Sequence, residues 1–194
     1  MFILTKIADL VQIAPEDFGK QSFAAIEDNI NAKYANKVVQ KLGLVVCLWD
    51  ILWTSEGLIG HGTGLVNVNV EFRVVVFRPF QGEVIVARIA RQTQDGMHLA
   101  TDFFHDIFVP ASELPDGSEF EPSEGIWVWR EDDQELYYDQ NEMVRFQVLM
   151  EDWHDQTPKG PVDITDPPTA QISPPYTITG TMKTSGLGCY LWWE

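Results

Sequence analysis

The feature that most constrains the fold is a strictly alternating run within the first 80 residues. Every second residue from Val66 to Val76 is apolar, and Asn, Glu or Arg fills the intervening positions up to Arg73. Because successive side chains of a β-strand point to opposite faces, this run predicts a long strand with one buried face. The other face becomes apolar at Val75 and Phe77, which predicts burial on both faces at that end.

The residues before this run predict a strand and a helix. Residues 2–13 have the character of a strand that ends before Pro15. The helix is expected to have Asp17 as its N-cap and to end at Gly43. Its apolar face is predicted from residues at helical spacing, which are Phe23, Ile26, Ile30, Tyr34 and Val38.

A second strand is predicted between the helix and the alternating run. Residues 44–53 are apolar in both alternating sets except at Asp50, which is typical of a strand covered on both faces. The loop after it contains four glycines, Gly57, Gly60, Gly62 and Gly64. Because this loop joins two strands, we expect a hairpin. The first unit is therefore predicted to be α+β, with a long helix packed on an antiparallel sheet.

The second half of the chain has a different pattern. Pro79 and Gly82 mark a boundary between units at residues 1–80 and 81–194. Short strand patterns follow one another closely, at residues 82–91, 97–101, 105–110, 126–129, 135–139, 143–150, 176–183 and 186–193. The density of strands predicts a small all-β barrel. A tight turn is expected at Gln94-Asp95-Gly96, and a proline-rich segment at residues 157–175 predicts an extended or disordered loop.

The net charge of −16 is concentrated in the second unit. Residues 1–80 carry seven Lys and Arg against eight Asp and Glu, whereas residues 81–194 carry six against twenty-one. An acidic domain has no general attraction to phosphate, so any RNA contact is expected to be local, weak and salt-sensitive. No segment approaches the roughly 20 apolar residues that span a bilayer, and no membrane partner is expected.

No catalytic arrangement is apparent in the sequence. The loop glycines give G-x-G-x-G between two strands, whereas a dinucleotide site needs G-x-G-x-x-G between a strand and a helix. The four histidines lack metal-ligand spacing, and the acidic run from Glu113 to Glu142 is typical of a charged surface. We therefore expect a protein without an enzyme site, metal or cofactor. Cys47 and Cys189 are expected to be reduced and buried.

Small barrels commonly bind single-stranded nucleic acid or protein through rings and cations on one face. The candidates for RNA contact are Arg88, Arg91, His98, Phe104, His105 and Lys183. On a regular strand Arg88 and Arg91 cannot share a face, so at most one of them is expected on the binding side. Trp192 and Trp193 would also point to opposite faces of a terminal strand, which favours an interface role for one of them.

Five segments of the sequence resemble the larger stalk subunits of archaeal and eukaryotic RNA polymerases. They are MFILTKIADLVQIAP, NAKYANKVVQKLG, NVEFRVVVFRPFQGEV, FFHDIFVP and SGLGCYLWWE. The F-R-P-F-x-G-E-V pattern marks the wider stalk family, while the first segment and the terminal W-W-E favour the RNA polymerase III branch. The resemblance covers residues 1–154 and 173–194. His105 stands where the family pattern has an acidic residue.

The resemblance implies an N-terminal α/β tip domain that docks on the polymerase core, followed by an S1-like OB barrel. It implies that the smaller helical stalk subunit binds near the joint, at Phe77, Pro79, Phe80 and Gly82. Contact with the core is implied for the tip hairpin at Gly57, Gly60, Gly62 and Gly64. The implied function is nuclear and non-catalytic: support of RNA polymerase III initiation at genes for small untranslated RNAs, with initiation factors and nascent RNA as further partners.

Two other functions remain open at this point. A free-standing S1 or OB protein of RNA metabolism would need tight RNA binding by the barrel alone. The equivalent stalk subunit of another nuclear polymerase would differ in the core enzyme that co-purifies with it. An enzyme would need a concave site, which the sequence does not place.

Overall fold

The computed structural model describes residues 1–131, 134–156 and 173–193. The chain forms two compact units, Met1–Arg78 and Pro79–Glu194. Among the described residues, no helix is both long and apolar enough to cross a membrane.

The first unit is one antiparallel sheet with a single helix on one face. Its elements are β1 (Phe2–Ile13), α1 (Ser22–Tyr34), β2 (Lys37–Val39), β3 (Gly43–Thr54), β4 (Leu58–Ile59) and β5 (Val66–Phe77). The strand order is β1-β5-β3-β2, with the short β4 also paired to β5. The α+β prediction is therefore confirmed.

The alternating run forms β5, the central strand of this sheet. Phe72, Val74 and Val76 are completely buried, and they pack against the helix residues Ile26 and Ile30. The intervening Asn, Glu and Arg side chains lie on the opposite face. Burial of the apolar set against α1 removes these side chains from water and supplies the main hydrophobic stabilisation of the unit.

The helix is shorter than the sequence predicted. It starts at Ser22 with Gln21 as a cap that makes no side-chain hydrogen bond, while Asp17 lies in a preceding 3-10 turn and pairs with Lys20. It ends at Tyr34, because Asn36 adopts a left-handed conformation with φ of 57°. The prediction of Asp17 as N-cap and Gly43 as helix stop was wrong. Val38 lies in β2, not in the helix.

Strand β3 is exposed on one side, contrary to the prediction that both faces are covered. Its pairing with β5 shifts at three regularly spaced bulges, where Val46, Trp49 and Leu52 have no partner opposite them. These three side chains are exposed. Each bulge inserts one extra residue and turns the strand locally. Cys47, expected to be buried, is exposed in the same strand, whereas Cys189 is buried as expected, and both are free thiols.

A polar cluster joins β1 to the end of α1. The Asp9 carboxylate accepts hydrogen bonds from Lys33 and, at 2.6 Å, from the Tyr34 hydroxyl. Burial alone would raise the pKa of Asp9, but these hydrogen bonds outweigh it and hold that pKa below its usual value. Burial and the same hydrogen bond raise the pKa of Tyr34 to about 12. The cluster fixes the helix end over the edge strand.

The second unit is a closed barrel with added strands. Its elements are β6 (Val84–Thr93), β7 (Gly96–Ala100), β8 (Ile107–Pro110), β9 (Ser118–Glu121), β10 (Ile126–Glu131), β11 (Gln134–Tyr137), β12 (Met143–Trp153), β13 (Tyr176–Thr181) and β14 (Gly188–Cys189). The pairing order β13-β8-β7-β6-β12 closes through β12 and β13, and only the β8–β13 pair within it is parallel. This five-strand closure is that of an OB barrel, as predicted.

A small sheet, β9-β10-β11, is inserted between the barrel strands β8 and β12. Its first strand, β9, was not predicted, because SEFE is short and half charged. Of the strand predicted at residues 186–193, only Gly188–Cys189 (β14) forms, and Tyr190–Trp193 form a 3-10 turn instead. The Trp192 ring packs on Tyr138 and Trp129 at centroid distances of 4.6 and 5.4 Å. Most of the proline-rich loop, residues 157–172, lies outside the described residues.

The predicted turn before β7 requires glycine at position 96. Gly96 has φ of 149°, and a Cβ atom there would lie 2.2 Å from the Val109 carbonyl oxygen. Gly125 also has positive φ, at 72°, but a Cβ atom there would meet nothing within 4 Å. A substitution at Gly125 therefore tests backbone strain alone, whereas a substitution at Gly96 adds a steric clash.

We expect Gly96→Ala to destabilise the fold by about 3 kcal/mol or more, because strand β8 must move away. Gly125→Ala should cost about 1 kcal/mol, from backbone strain alone. Thermal and denaturant unfolding of both variants measures the difference. Equal losses of stability in the two variants would contradict the steric explanation.

Candidate functional site

The candidate RNA-binding face of the barrel is shaped by a bulge in β6. The pairing of β6 with β7 shifts between Ile89 and Arg91, so that Arg88 lies opposite Ala100 and Arg91 lies opposite His98. Residues that lie opposite each other share a face, and so do residues two apart in one strand. Arg88 and Arg91 are therefore on the same face, which corrects the prediction that at most one of them would be there.

A cleft of about 350 Å³ opens on this side of the barrel. Its walls come from β6, β7, β8 and the start of β13, and it is lined by Arg91, Thr93, Asp95, His98, His105, Asp106, Ile107, Phe108, Pro174 and Thr177. It combines a cation and two histidines with an aromatic ring, two hydroxyl groups and two carboxyl groups, those of Asp95 and Asp106. The cation and the ring suit contact with a nucleotide, whereas the carboxylates oppose a phosphate group, so RNA contact here is expected to be weak.

Burial and a neighbouring charge both act on His98, one of the two histidines in this cleft. The His98 ring lies 4.9 Å from the Phe108 ring, and the Arg91 guanidinium lies 3.4 Å from His98 Nε2. Burial lowers the pKa of His98, and the Arg91 charge lowers it further. On the same wall, burial raises the pKa of Asp106, partly opposed by His105. The cleft thus holds the Arg91 guanidinium together with the carboxyl groups of Asp95 and Asp106.

The structure brings together only some of the predicted RNA-contact residues. Arg91, His98 and His105 line the cleft, and Arg88 shares their face while lying 3.4 Å from Asp102. Phe104 is only 4% exposed and packs on Tyr176, so its ring is part of the core and cannot stack on a base. This corrects the assignment of Phe104 as a contact residue.

Lys183 is a predicted contact residue but lies outside the cleft, whereas Phe108 was not predicted and lines it. Lys183 lies 3.9 Å from Glu113 and does not line the cleft. Phe108, which sequence reasoning passed over, supplies the ring beside His98. The alternation of β8 carried the signal that was missed: Ile107 and Val109 are buried, so Phe108 must point the other way.

A second surface lies on the first unit, on the side of the sheet away from α1. We call it the open face, and its exposed apolar side chains are Phe2, Leu4, Leu10, Val46, Trp49, Leu52 and Trp53. Two ion pairs, Lys6–Glu71 and Arg73–Asp50, cross it between the strands. An apolar patch of this kind, with two tryptophans more than half exposed, is typical of a protein interface.

The tip hairpin presents two exposed apolar side chains between its glycines. Leu58 and Ile59, in β4, are 70% and 73% exposed. The turn depends on glycine, because a Cβ atom on Gly57 or Gly60 would lie 2.7 Å from a neighbouring side-chain atom. Gly62 and Gly64 both have positive φ. The four glycines shape the loop, while the two side chains that β4 exposes are apolar.

The residues of the predicted joint have different environments. Phe77 is completely buried in the first unit, so it cannot contact a partner directly, which corrects that assignment. Phe80, in the second unit, is 65% exposed. Pro79 begins the second unit, and Gly82, with φ of 87°, donates its N–H to the Val148 carbonyl.

A helix-backed antiparallel sheet followed by an OB barrel defines a two-domain protein of the SHS2-plus-OB type. Two family models match the two units separately: "SHS2 domain found in N terminus of Rpb7p/Rpc25p/MJ0397" at residues 8–64, and "RNA polymerase III subunit Rpc25" at residues 83–193. The chain belongs to the RNA polymerase III subunit Rpc25 family.

Relatives of similar length support this assignment. The chain is 38% identical to DNA-directed RNA polymerase III subunit rpc8 of Schizosaccharomyces pombe and 36% identical to subunit RPC8 of Saccharomyces cerevisiae, in both cases over the full length of each chain. It is 35% identical to RPC8 of Bos taurus, over all of this chain and 98% of the relative.

The lowered pKa of His98 gives a testable pH dependence. We expect its NMR titration midpoint to lie below the ordinary histidine value of about 6.5. Since the unfolded chain then takes up the proton more readily, His98 contributes stability that is complete above pH of about 6.5 and is lost as the pH falls toward the folded midpoint.

The Arg91→Gln variant should raise the midpoint of His98, because one of its two depressing influences is removed. The midpoint should remain below the ordinary value, because burial persists. A midpoint that falls or stays fixed in this variant would show that Arg91 does not act on the ring.

Proposed function

We propose that this chain is the larger, non-catalytic stalk subunit of RNA polymerase III and acts in the nucleus. The observation that carries the proposal is the match of both units, in order, to the families of polymerase subunits, together with full-length relatives that are named as RNA polymerase III subunits. The exposed surfaces of the two units support a role in binding. Such a subunit would recruit partners and position them for initiation.

The open face of the first unit is proposed as the docking surface for the smaller helical stalk subunit. Trp49 and Trp53 lie among other exposed apolar side chains, and tryptophan is a frequent source of binding energy at interfaces. A helical partner presents an apolar stripe of matching character. Phe80, in the second unit, is a further candidate for this contact because its ring is exposed.

The tip hairpin is proposed to contact the polymerase core. Leu58 and Ile59 would supply apolar anchors, and Gly57, Gly60, Gly62 and Gly64 would hold the turn that presents them. Two exposed aliphatic side chains at the end of a hairpin are costly in water and gain by entering a pocket on another protein. The barrel is proposed to offer its surface to initiation factors and, weakly, to nascent RNA.

The first test is affinity purification of the tagged chain from its own cells, with mass spectrometry of the proteins that accompany it. We expect the RNA polymerase III core and one small helical protein. The double variant Trp49→Ser with Trp53→Ser should lower recovery of the small protein at least about tenfold, since hot-spot residues contribute 2 kcal/mol or more.

Phe23→Ser provides the matched control, because Phe23 is an equally exposed aromatic residue on α1, on the other side of the sheet. It should leave the small protein bound. Recovery of another polymerase would show that the chain is a stalk subunit of that enzyme and not of RNA polymerase III. Recovery of RNA-processing proteins and no polymerase would favour a free-standing RNA-binding protein.

RNA binding by the barrel is expected to be weak and to depend on Arg91. With a single-stranded RNA of about 15 nucleotides, Arg91→Gln should lower the slope of log affinity against log salt by about 0.7, as loss of one phosphate contact would do. Lys183→Gln removes the same charge away from the cleft and should leave the slope unchanged. Tight binding that is insensitive to Arg91 would argue against this cleft.

A further inference from the structure

The cleft in the barrel holds two carboxyl groups, those of Asp95 and Asp106, beside the Arg91 guanidinium. An ionised carboxylate has only acceptor atoms, so it repels a phosphate group and needs N–H or O–H donors from any ligand that lies against it. In RNA, the bases and the ribose hydroxyls supply such donors, and the phosphates supply none. The carboxylates therefore favour contact with the edge of a base over contact with the RNA backbone.

Asp106 is the carboxylate with the greater need for a donor. It is half-buried directly before β8, whereas Asp95 is exposed in the turn between β6 and β7. In the part of the chain that the structure describes, the Asp106 carboxylate accepts no hydrogen bond, and only its backbone carbonyl accepts one, from the Ile178 N–H at 2.9 Å. Burial raises the pKa of Asp106, and the His105 charge opposes this only in part. A half-buried acceptor of this kind favours a ligand that brings N–H groups to it.

An aromatic surface lies next to this carboxylate. Asp106 and Phe108 are two residues apart at the start of β8, so extended backbone directs both side chains to one side, and both line the cleft. The Phe108 and His98 rings pack with their centroids 4.9 Å apart and offer a surface on which a base can stack. A base that stacks on Phe108 meets the neighbouring side chains with its edge, where its N–H donors lie.

Guanine is the base whose edge fits a single carboxylate. Its N1–H and its 2-amino group are adjacent donors that pair with both carboxylate oxygens at once. In adenine and cytosine the amino group lies beside a ring nitrogen that accepts, and in uracil the N–H lies between two carbonyl oxygens. These acceptor atoms repel a carboxylate oxygen, so the other three bases pair with it less well.

We propose that this cleft selects guanine in single-stranded RNA, with the Asp106 carboxylate accepting from N1–H and the 2-amino group while the base stacks on Phe108. This inference deepens the proposed function and rests on it, because it names the base that the weak RNA contact reads. Arg91 keeps the phosphate contact proposed above. Phosphate contacts position a nucleic acid and base contacts specify it, so Arg91 sets the affinity and Asp106 sets the choice of base.

Three RNAs test the selection with the full chain unaltered. Each is an oligouridine of about 15 nucleotides with guanosine, inosine or adenosine at its centre, and inosine is guanosine without the 2-amino group. At fixed low salt, the guanosine RNA should bind about tenfold more tightly than the adenosine RNA and about threefold or more tightly than the inosine RNA. Equal affinity for the guanosine and inosine RNAs would overturn the proposal, because the 2-amino group would then make no contact.

Matched variants of the two carboxylates assign the selection to one residue. Asp106→Asn should reduce the preference for guanosine over adenosine to less than about twofold, because an amide has one acceptor oxygen in place of two. It also removes a negative charge, so the affinity for the adenosine RNA should stay equal or rise. Asp95→Asn removes the same charge from the same cleft, suits the turn before Gly96 and should leave the preference unchanged. A preference that survives Asp106→Asn, or that Asp95→Asn abolishes, would contradict the role of Asp106.

The outcomes separate this inference from the proposed function. Arg91→Gln should weaken the binding of all three RNAs by the same factor and leave the preference for guanosine in place. If the full chain binds none of the RNAs, the proposed RNA contact and its selection of guanine fall together. If it binds all three with equal affinity and Arg91→Gln weakens that binding, the RNA contact stands and only the selection of guanine is wrong.

Discussion

The first unit depends on the pairing of β5 with a long strand on each side. Strand β1 pairs along the full length of β5, β3 pairs with its residues from Val70 to Phe77, and α1 covers its apolar set. This arrangement commits one face of the sheet to the core and leaves the other face to solvent. The exposed tryptophans of β3 and the ion pairs across the sheet follow from that division.

Bulges build both candidate surfaces. Three of them in β3 add Val46, Trp49 and Leu52 to the exposed side of the sheet. One in β6 turns Arg91 to the same face as Arg88 and places it beside His98. In each case an extra residue re-aims side chains that a regular strand would have sent elsewhere. The geometry of both candidate surfaces thus depends on β-bulges.

The two units differ in their net charge and in the environment of their tryptophan side chains. The second unit carries almost all of the net negative charge, yet its cleft gathers Arg91 and two histidines beside Phe108. Because Asp95 and Asp106 also line the cleft, its single arginine in an acidic domain favours a small contact with an anionic group over extended binding to nucleic acid. The Trp192 ring packs on Tyr138 and Trp129, whereas Trp49 and Trp53 of β3 are more than half exposed.

The sequence by itself determined the strands with clear alternation, the α+β character of the first unit and the barrel of the second. It did so because side-chain period and local turn residues are properties of short segments. Its motifs also identified the family, and the family model and the relatives confirm that assignment.

Only the tertiary structure decided the shorter helix, the burial of Phe77 and Phe104, the terminal 3-10 turn and the joint placement of Arg88 and Arg91. Each of these depends on contacts between residues far apart in the chain. A bulge leaves no signature in hydrophobic period, because the extra residue is defined only by its neighbour in the paired strand. The same limit applies to β1: its pattern indicates a strand, but only the pairing of the described strands places it at the edge of its sheet.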